Sequence, residues 1–396
     1  MQLCNLKIIE KVEPVNIEVS REHIKNITSY AKNKILKTRD SIFFEDSLAF
    51  PGLINSHDHL DFNLFPQTGN RVYKNYVEWG EDIHARNKEM IRSVLKIPQQ
   101  LRTEWGLYKN LLNGVTTVVN HGEILHIDNE VISVLQNNHS LHSVGFEKKW
   151  KWKLNTLFKK NWPYVIHIGE GTDKISHEEI NELIKWNLFK RKIVGVHGVA
   201  MDEYQAKAFR ALVWCPASNN FMLDASAPID ELKMAVTILF GTDSTLTSSW
   251  NLWDQLRTAR NTLHLTDQEL FDSLTKSAAT VWKENNIGSL SINKNADLCI
   301  ARANGKKGFD AFYSINPQDL LLVMHKGKIC LFDGELLDQL IATSLLSSSF
   351  TKISVDGKIK YLYGDIARLV NKISSYNREV SFPIYVVKLN RSEPSA

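Results

Sequence analysis

Cysteine is scarce in this chain, and the few that occur form no pattern. Cys4, Cys215, Cys299 and Cys330 are the only four in 396 residues. None belongs to a Cys-x-x-Cys pair, which argues against a zinc knuckle or a dithiol redox site. So few thiols in a chain this long do not make a disulfide scaffold. Long hydrophobic runs are missing too. No stretch approaches the roughly 18 apolar residues of a membrane span. Lys7, Glu10 and Lys11 interrupt the N-terminus before a signal-peptide core develops, so a cytoplasmic location is expected. Charge of one sign is also lacking. Lys plus Arg is 48 against 44 for Asp plus Glu, a net charge of +4. That excess is too small to suggest a nucleic-acid or membrane partner. The one basic–aromatic run, Lys148 to Lys153, reads as a solvated helix face whose tryptophans reach inward. There is no internal repeat and no low-complexity segment.

What is present is an ordinary globular composition, 43% apolar, in a chain long enough for one large domain and a smaller one. The first fifty residues alternate loosely at period two, as in Val15-Asn16-Ile17-Glu18-Val19, and predict short strands. From Leu48 the chain alternates strand-like and helix-like runs. Strands are predicted at Leu48–Asn55, Val115–Val119, Leu141–Phe146, Tyr164–Ile168, Ile193–His197, Ala211–Cys215 and Val236–Phe240. Between them, helical spacing is read over Glu123–Asn138, Lys151–Lys160 and His177–Phe189. Such β–α alternation implies a parallel sheet wrapped by helices. Near-continuous apolar strands fit a sheet buried on both faces. Beyond about residue 288 the strand character returns, and it is expected to complete the small β domain begun by the N-terminus. The tail predicts a hairpin over Ile353–Tyr361, a helix over Asp365–Tyr376 and a strand over Ile384–Leu389. Disorder is expected over Asn390–Ala396.

Candidate ligands collect at the carboxyl ends of these strands. His57, His59, His167, His197 and Asp243 each lie at or just past such an end, where parallel α/β barrels place their active sites. Side chains alternate along a strand, so His57 and His59 point one way and Asp58 the other. Eight further histidines, His84 and His142 among them, fall on predicted helices or loops and are read as surface or packing residues.

The motifs that hold these residues resemble the amidohydrolase superfamily, in particular its mononuclear deaminase-like branch. That branch includes guanine and cytosine deaminases, triazine hydrolases and imidazolonepropionase. The resemblance rests on Pro51-Gly52-Leu53-Ile54-Asn55-Ser56-His57-Asp58-His59, Gly114-Val115-Thr116-Thr117 and His167-Ile168-Gly169-Glu170. It continues through His197-Gly198, Cys215-Pro216-Ala217-Ser218-Asn219 and Gly241-Thr242-Asp243-Ser244, six motifs in order over about residues 1 to 335. It implies an α/β fold: a (β/α)8-type TIM barrel over 51–288, with a composite β-sandwich domain from 1–50 and 289–396. Only one clear strand stands between Val119 and His167, so the barrel is expected to be distorted or short by one strand.

The implied chemistry is that of a metal-dependent hydrolase acting on a carbon–nitrogen bond. One divalent transition ion, zinc or iron, would be held by His57, His59, His167 and Asp243, since imidazole and carboxylate suit these metals better than magnesium. Asp243 would also accept a proton from the attacking water. Glu170 would act as general acid, and His197 would orient the hydroxide or stabilise the oxyanion. Phe62, Phe65, Tyr73, Tyr76 and Trp79 follow the first strand and could form an aromatic lid over a small planar heterocycle or simply pack the rim. Tyr76, Trp79, His121 and Asn219 are the substrate-binding candidates. Hydrolytic deamination and the ring opening of a cyclic amide remain alternatives at this stage. A non-catalytic barrel scaffold is a third, and would predict a damaged metal set. A homodimer is compatible with the sequence.

Overall fold

The computed structural model describes residues 1–387, leaving aside 10, 31–39, 129, 158–160, 344–345 and 347–348. The strand expected to reach Leu389 is therefore described only in part, and the expectation for Asn390–Ala396 lies outside the described residues.

The alternating N-terminal residues form β1 (Gln2–Ile8), β2 (Lys11–Ser20), β3 (His23–Ser29), β4 (Ser41–Phe43) and β5 (Ser47–Pro51). The apolar runs that follow form eight strands. Three of these, β6 (Leu53–Asp58), β7 (Val115–Asn120) and β8 (Ser133–Leu135), make one parallel sheet. The other five make a second: β9 (His139–Ser143), β10 (Tyr164–Ile168), β11 (Ile193–His197), β12 (Ala211–Trp214) and β13 (Thr237–Phe240). Every residue of β6, β7, β10, β11 and β12 is buried, as expected of strands covered on both faces. Helices α1 (Tyr76–Arg86) and α2 (Lys88–Leu95) follow β6, and α3 (Gln99–Leu111), α4 (Trp150–Leu154) and α5 (Lys174–Trp186) pack against β7, β9 and β10.

The helix expected at Glu123–Asn138 does not form. The side-chain amide of Gln136 instead donates to the Leu125 carbonyl, its oxygen accepts the Leu125 amide, and Ser133–Leu135 pairs with β7. The β-branched residues Val131, Ile132 and Val134 favour the extended chain. Only Gln136 to Asn138 separates β8 from β9. Adjacent parallel strands need a crossover of about a dozen residues, so Ser133–Ser143 acts as one extended run. Its first part pairs with β7 and its second with β10. Among the described residues no helix therefore separates β8 from β9. At the other junction no strand ladder joins β13 to β6 among the described residues. The amides of Thr242 and Asp243 both donate to the His57 carbonyl at 3.1 Å, and Asn55 Oδ1 accepts from the Thr242 amide. Gly241 permits this approach, because a Cβ there would sit 2.7 Å from the Cβ of His57.

Helix α5 begins three residues before the expected His177, because the Asp173 carboxylate caps the Ser176 amide. Helix α4 is short, beginning one residue before the expected Lys151–Lys160 and ending at Leu154; the last three residues of that expected span lie outside those described. In the basic–aromatic run Trp150 is buried while Trp152 is exposed, so only one of the two tryptophans reaches inward. Lys151 lies over the Trp186 ring, 4.8 Å from its centroid.

The chain then returns to the first sheet with β14 (Leu298–Arg302), β15 (Leu320–His325), β16 (Lys328–Asp333), β17 (Phe350–Val355), β18 (Lys358–Tyr363) and β19 (Tyr385–Val386). Cys299 of β14 stands opposite Phe50 of β5 in an antiparallel ladder. Strands from both chain ends thus share one eleven-stranded sheet. The tail hairpin turns at Asp356 and Gly357, both at positive φ as a type I′ turn requires. Beyond the helix Ile366–Tyr376, Phe382 packs edge-on against Trp105 of α3 at 4.8 Å.

Asp58, turned away from its histidine neighbours, ends in a fully buried network behind β6. Its carboxylate accepts from Lys109 Nζ at 3.0 Å, from Asn110 at 2.7 Å and from Asn63 at 2.8 Å. Asn55 and Thr242 complete the ring of donors. Lys109→Met removes the cation and leaves a buried carboxylate uncompensated. We predict a loss of about 3–5 kcal/mol of stability in urea unfolding; a loss below about 1 kcal/mol would show that the neutral donors suffice.

Candidate metal centre and active site

Three imidazoles and one carboxylate meet at the carboxyl ends of β6, β10 and β13. His167 Nε2 lies 3.3 Å from His57 Nε2 and 3.3 Å from His59 Nε2. Asp243 Oδ1 lies 3.5 Å from His57 Nε2 and 3.7 Å from His59 Nε2. A tetrahedral zinc ion with bonds of about 2.05 Å needs ligand–ligand edges of roughly 3.3 Å. The four measured edges are of this size, and the donor chemistry, neutral nitrogen plus carboxylate, fits a transition metal.

Electrostatics favour the same reading. Burial and the neighbouring His57 hold the His59 ring down to about pKa 4, and burial with four nearby histidines holds His167 well below its ordinary value. Both are neutral at pH 7 and so carry a free lone pair. Burial would raise the Asp243 carboxyl, but its hydrogen bond with His57 and the facing histidines keep it well below the usual carboxylate range. Its second oxygen, Oδ2, accepts from Ser218 at 2.8 Å and Thr247 at 2.9 Å, which leaves Oδ1 facing the histidines. Such supporting hydrogen bonds fix a ligand's direction.

His197 and Glu170 form the next layer. His197 closes β11 with φ of +74°, and Asp243 follows β13 at φ +50°; both are left-handed conformations uncommon outside glycine. Strain of this kind concentrates at functional sites. The Asn219 amide donates to His197 Nδ1 at 2.9 Å, leaving the proton on Nε2, which faces Glu170 Oε1 at 3.4 Å. Burial lowers the His197 ring to about pKa 3 and raises the Glu170 carboxyl well above its ordinary value, with Asp243 and Glu179 adding to the latter. Gly169, at φ +60°, turns the chain so that Glu170 follows His167 into the cavity. Its amide donates to Glu179 at 2.8 Å, and Glu179 also accepts from the Tyr76 hydroxyl at 3.1 Å.

The cavity in front of this cluster encloses about 560 Å³. Phe62, Tyr76, Trp79, Phe146, Met222 and Leu246 supply apolar walls. Among the described lining residues there is no lysine or arginine, whereas Glu81, Glu170 and Asp243 are acidic. Phe62 stacks on the His59 ring at 5.5 Å, and Trp79 is anchored by a hydrogen bond to the Thr68 carbonyl. A larger cavity, about 660 Å³, lies behind the loop 63–67 beside residues 377–383, but none of the histidines of the cluster lines it.

Of the substrate-binding candidates, Tyr76 and Trp79 line the cavity. Asn219 and His121 do not. Asn219 is fully buried behind His197, its amide taken up by the His197 ring. His121 joins His57, His59 and His167, with one ligand atom from each lying within 4.8 Å of the others. Two histidines read as surface or packing residues, His84 and His142, also line the cavity. His121 directly follows β7 and His142 lies in β9, so the strand-end rule that singled out His167 applied to both. Lys148 and Lys149 are exposed.

No family model matches the chain. A 5-methylthioadenosine/S-adenosylhomocysteine deaminase of Caldanaerobacter subterraneus subsp. tengcongensis is 20% identical, over 85% of this chain and 93% of that protein. Solved structures agree more closely in shape. A zinc-bound adenosine deaminase from Xanthomonas campestris superposes with a TM-score of 0.68 at 15% identity, covering 96% of this chain and 99% of that one. A 5-methylcytosine deaminase from Klebsiella pneumoniae gives 0.63 at 14% identity, with 83% and 97% covered. An atrazine chlorohydrolase from Arthrobacter aurescens, complexed with zinc and atraton, gives 0.62 at 15% identity, with 95% and 99% covered. The chain has the fold of the amidohydrolase-superfamily deaminases.

Proposed function

We propose that this protein is a metal-dependent hydrolase that deaminates an amino-substituted nitrogen heterocycle. The observation that carries the proposal is the convergence of His57, His59, His167 and Asp243, 3.3–3.7 Å apart along four edges, near a buried Glu170 whose carboxyl is raised well above its ordinary value. We assign residues 51–288 to a (β/α)8-type barrel that carries the site, short of one strand–helix unit. Residues 1–50 and 289–396 are assigned to a composite β-sandwich domain. Among the described residues no helix is long and apolar enough to cross a membrane, in keeping with the cytoplasmic location we propose.

Zinc held by these four residues, or iron in its place, would lower the pKa of a bound water to about 7 and so make hydroxide available at neutral pH. Asp243, ionised, would accept the proton released by an attacking water. Glu170, holding its proton, would donate to the ring nitrogen; the proton taken up by Asp243 would pass to the departing amine, and the proton of the new hydroxyl would return to Glu170 as the carbonyl forms. His197, held by Asn219, presents its Nε2–H to the developing negative charge. The aromatic walls stack a planar ring, and the lack of a cation favours an uncharged one. Ring opening of a cyclic amide would use the same groups; release of ammonia distinguishes the two. The scaffold alternative predicts a damaged metal set, and the cluster of His57, His59 and His167 speaks against it.

The roles of Glu170 and of its neighbour Glu179 can each be tested. The zinc-loaded protein should release ammonia from at least one neutral aminopurine, cytosine, pterin or triazine. Glu170→Gln should lower kcat by a factor of about 10² or more while keeping one metal per chain. Silence of the wild type across the panel would sink the deaminase reading, and loss of metal in the variant would sink the role given to Glu170. Because Glu170 works in its protonated form, kcat/KM should fall as pH rises through its elevated pKa. Glu179 gives a prediction about stability. Burial raises its carboxyl from 4.5 to about 7, so folding takes up a proton between those values and Glu179 weakens the fold as pH rises through that window. Glu179→Gln should therefore stabilise the protein by about 2 kcal/mol at pH 8, with little change at pH 4.5. An equal effect at both values would refute the ionisation argument.

A further inference from the structure

His121 has no part in the site as proposed, yet its surroundings are those of a ligand. Its ring is 3% exposed. Nε2 lies 2.9 Å from the Leu141 carbonyl oxygen, which can only accept, so that nitrogen carries the proton. Nδ1 is left with a lone pair, buried and without a hydrogen-bond partner. The ring centroid is 4.4 Å from that of His167, 5.1 Å from His57 and 5.5 Å from His59. One of its ring nitrogens falls within 4.8 Å of the ligand nitrogens of all three. Leaving a buried acceptor unsatisfied costs about 1–3 kcal/mol. The groups around it are other imidazoles, none of which supplies it a proton, whereas a cation would satisfy it.

We propose that His121 Nδ1 is a further ligand to the ion, so that the site offers four imidazoles and one carboxylate rather than three and one. The proposal rests on the metal-site reading above. Its geometry differs from a structural or tetrahedral zinc site. Added to the three Nε2 atoms and Asp243 Oδ1, a fifth donor on the β7 side would open the shell toward five or six positions. One of these is then free for water. Such a shell suits iron(II) or cobalt(II) better than zinc, which prefers four. The Leu141 carbonyl acts as the orienting partner, fixing the His121 tautomer with Nδ1 unprotonated.

The test uses the full chain loaded with cobalt(II). Wild-type protein should give the weak visible absorption of a five- or six-coordinate ion, and His121→Ala the intense absorption of a four-coordinate one. In competition with a chromophoric chelator the variant should bind cobalt about tenfold or more weakly. Identical spectra and affinities would overturn the proposal. X-ray absorption of the wild type needs no variant and covers the case in which His121→Ala and His121→Gln fail to fold. Five or more nitrogen and oxygen neighbours, four of them imidazole, support a ligating His121, and a shell with three imidazoles excludes it. A wild type that binds no stoichiometric metal would instead refute the metal-site reading itself, so the two failures are distinguishable.

Discussion

The structure is organised around a concentration of lone pairs. Three imidazole nitrogens and a carboxylate oxygen lie 3.3–3.7 Å apart along the measured edges, in a site where His57 is fully buried and His167 nearly so. His57 can donate to Asp243, but the lone pairs of the neutral His59 and His167 beside that carboxylate have lost their water, a costly arrangement unless a cation compensates it. Much of the surrounding structure supports that convergence. Ser218 and Thr247 fix the far oxygen of Asp243. Asn219 sets His197, Glu179 holds the turn before Glu170, and the Asp58–Lys109 network anchors the strand that carries two of the histidines. Positive φ at His197, Gly169 and Asp243 lies within the same shell. At His197 and Asp243 this backbone accompanies side chains that line the cavity.

The same shell separates proton-holding from proton-accepting groups. Glu170 and Asp243 are both buried carboxyls near His197, yet their environments push them in opposite directions. Asp243 has histidines and hydroxyl donors around it. Glu170 meets mainly burial and two other carboxylates. A pair of acids so divided can supply a base and an acid at one pH, which hydrolytic deamination requires.

Much of this was legible in the sequence because two of its rules are nearly geometric. Alternation along a strand put His57 and His59 on one side and Asp58 on the other, and the structure takes Asp58 into its own buried network. Parallel strands deliver their carboxyl ends to one rim, which brought His167, His197 and Asp243 together from distant positions. Where the reading failed, the signal was ambiguous or non-local. Ile127, Val131, Val134 and Leu135 fit one helix face, yet the Leu125–Gln136 hydrogen bonds and the pairing of Ser133 with Thr117 hold the segment extended. His121 was placed on the substrate side, because nothing in the sequence tells which way a residue past a strand end will turn. The burial of Asn219 behind His197 depends on a helix packing that spacing does not encode. The tail hairpin and helix were legible locally. Their docking, through β18 on β16 and Phe382 on Trp105, was not.

The central claim is that these four donors hold one catalytic ion at the mouth of the cavity. Anomalous diffraction at the zinc edge, on crystals of protein loaded with one equivalent of zinc, tests it most directly. The account predicts a single peak bounded by His57, His59 and His167 Nε2 and Asp243 Oδ1, each about 2.0–2.2 Å away. A peak elsewhere on the molecule, or none at full loading, would contradict it.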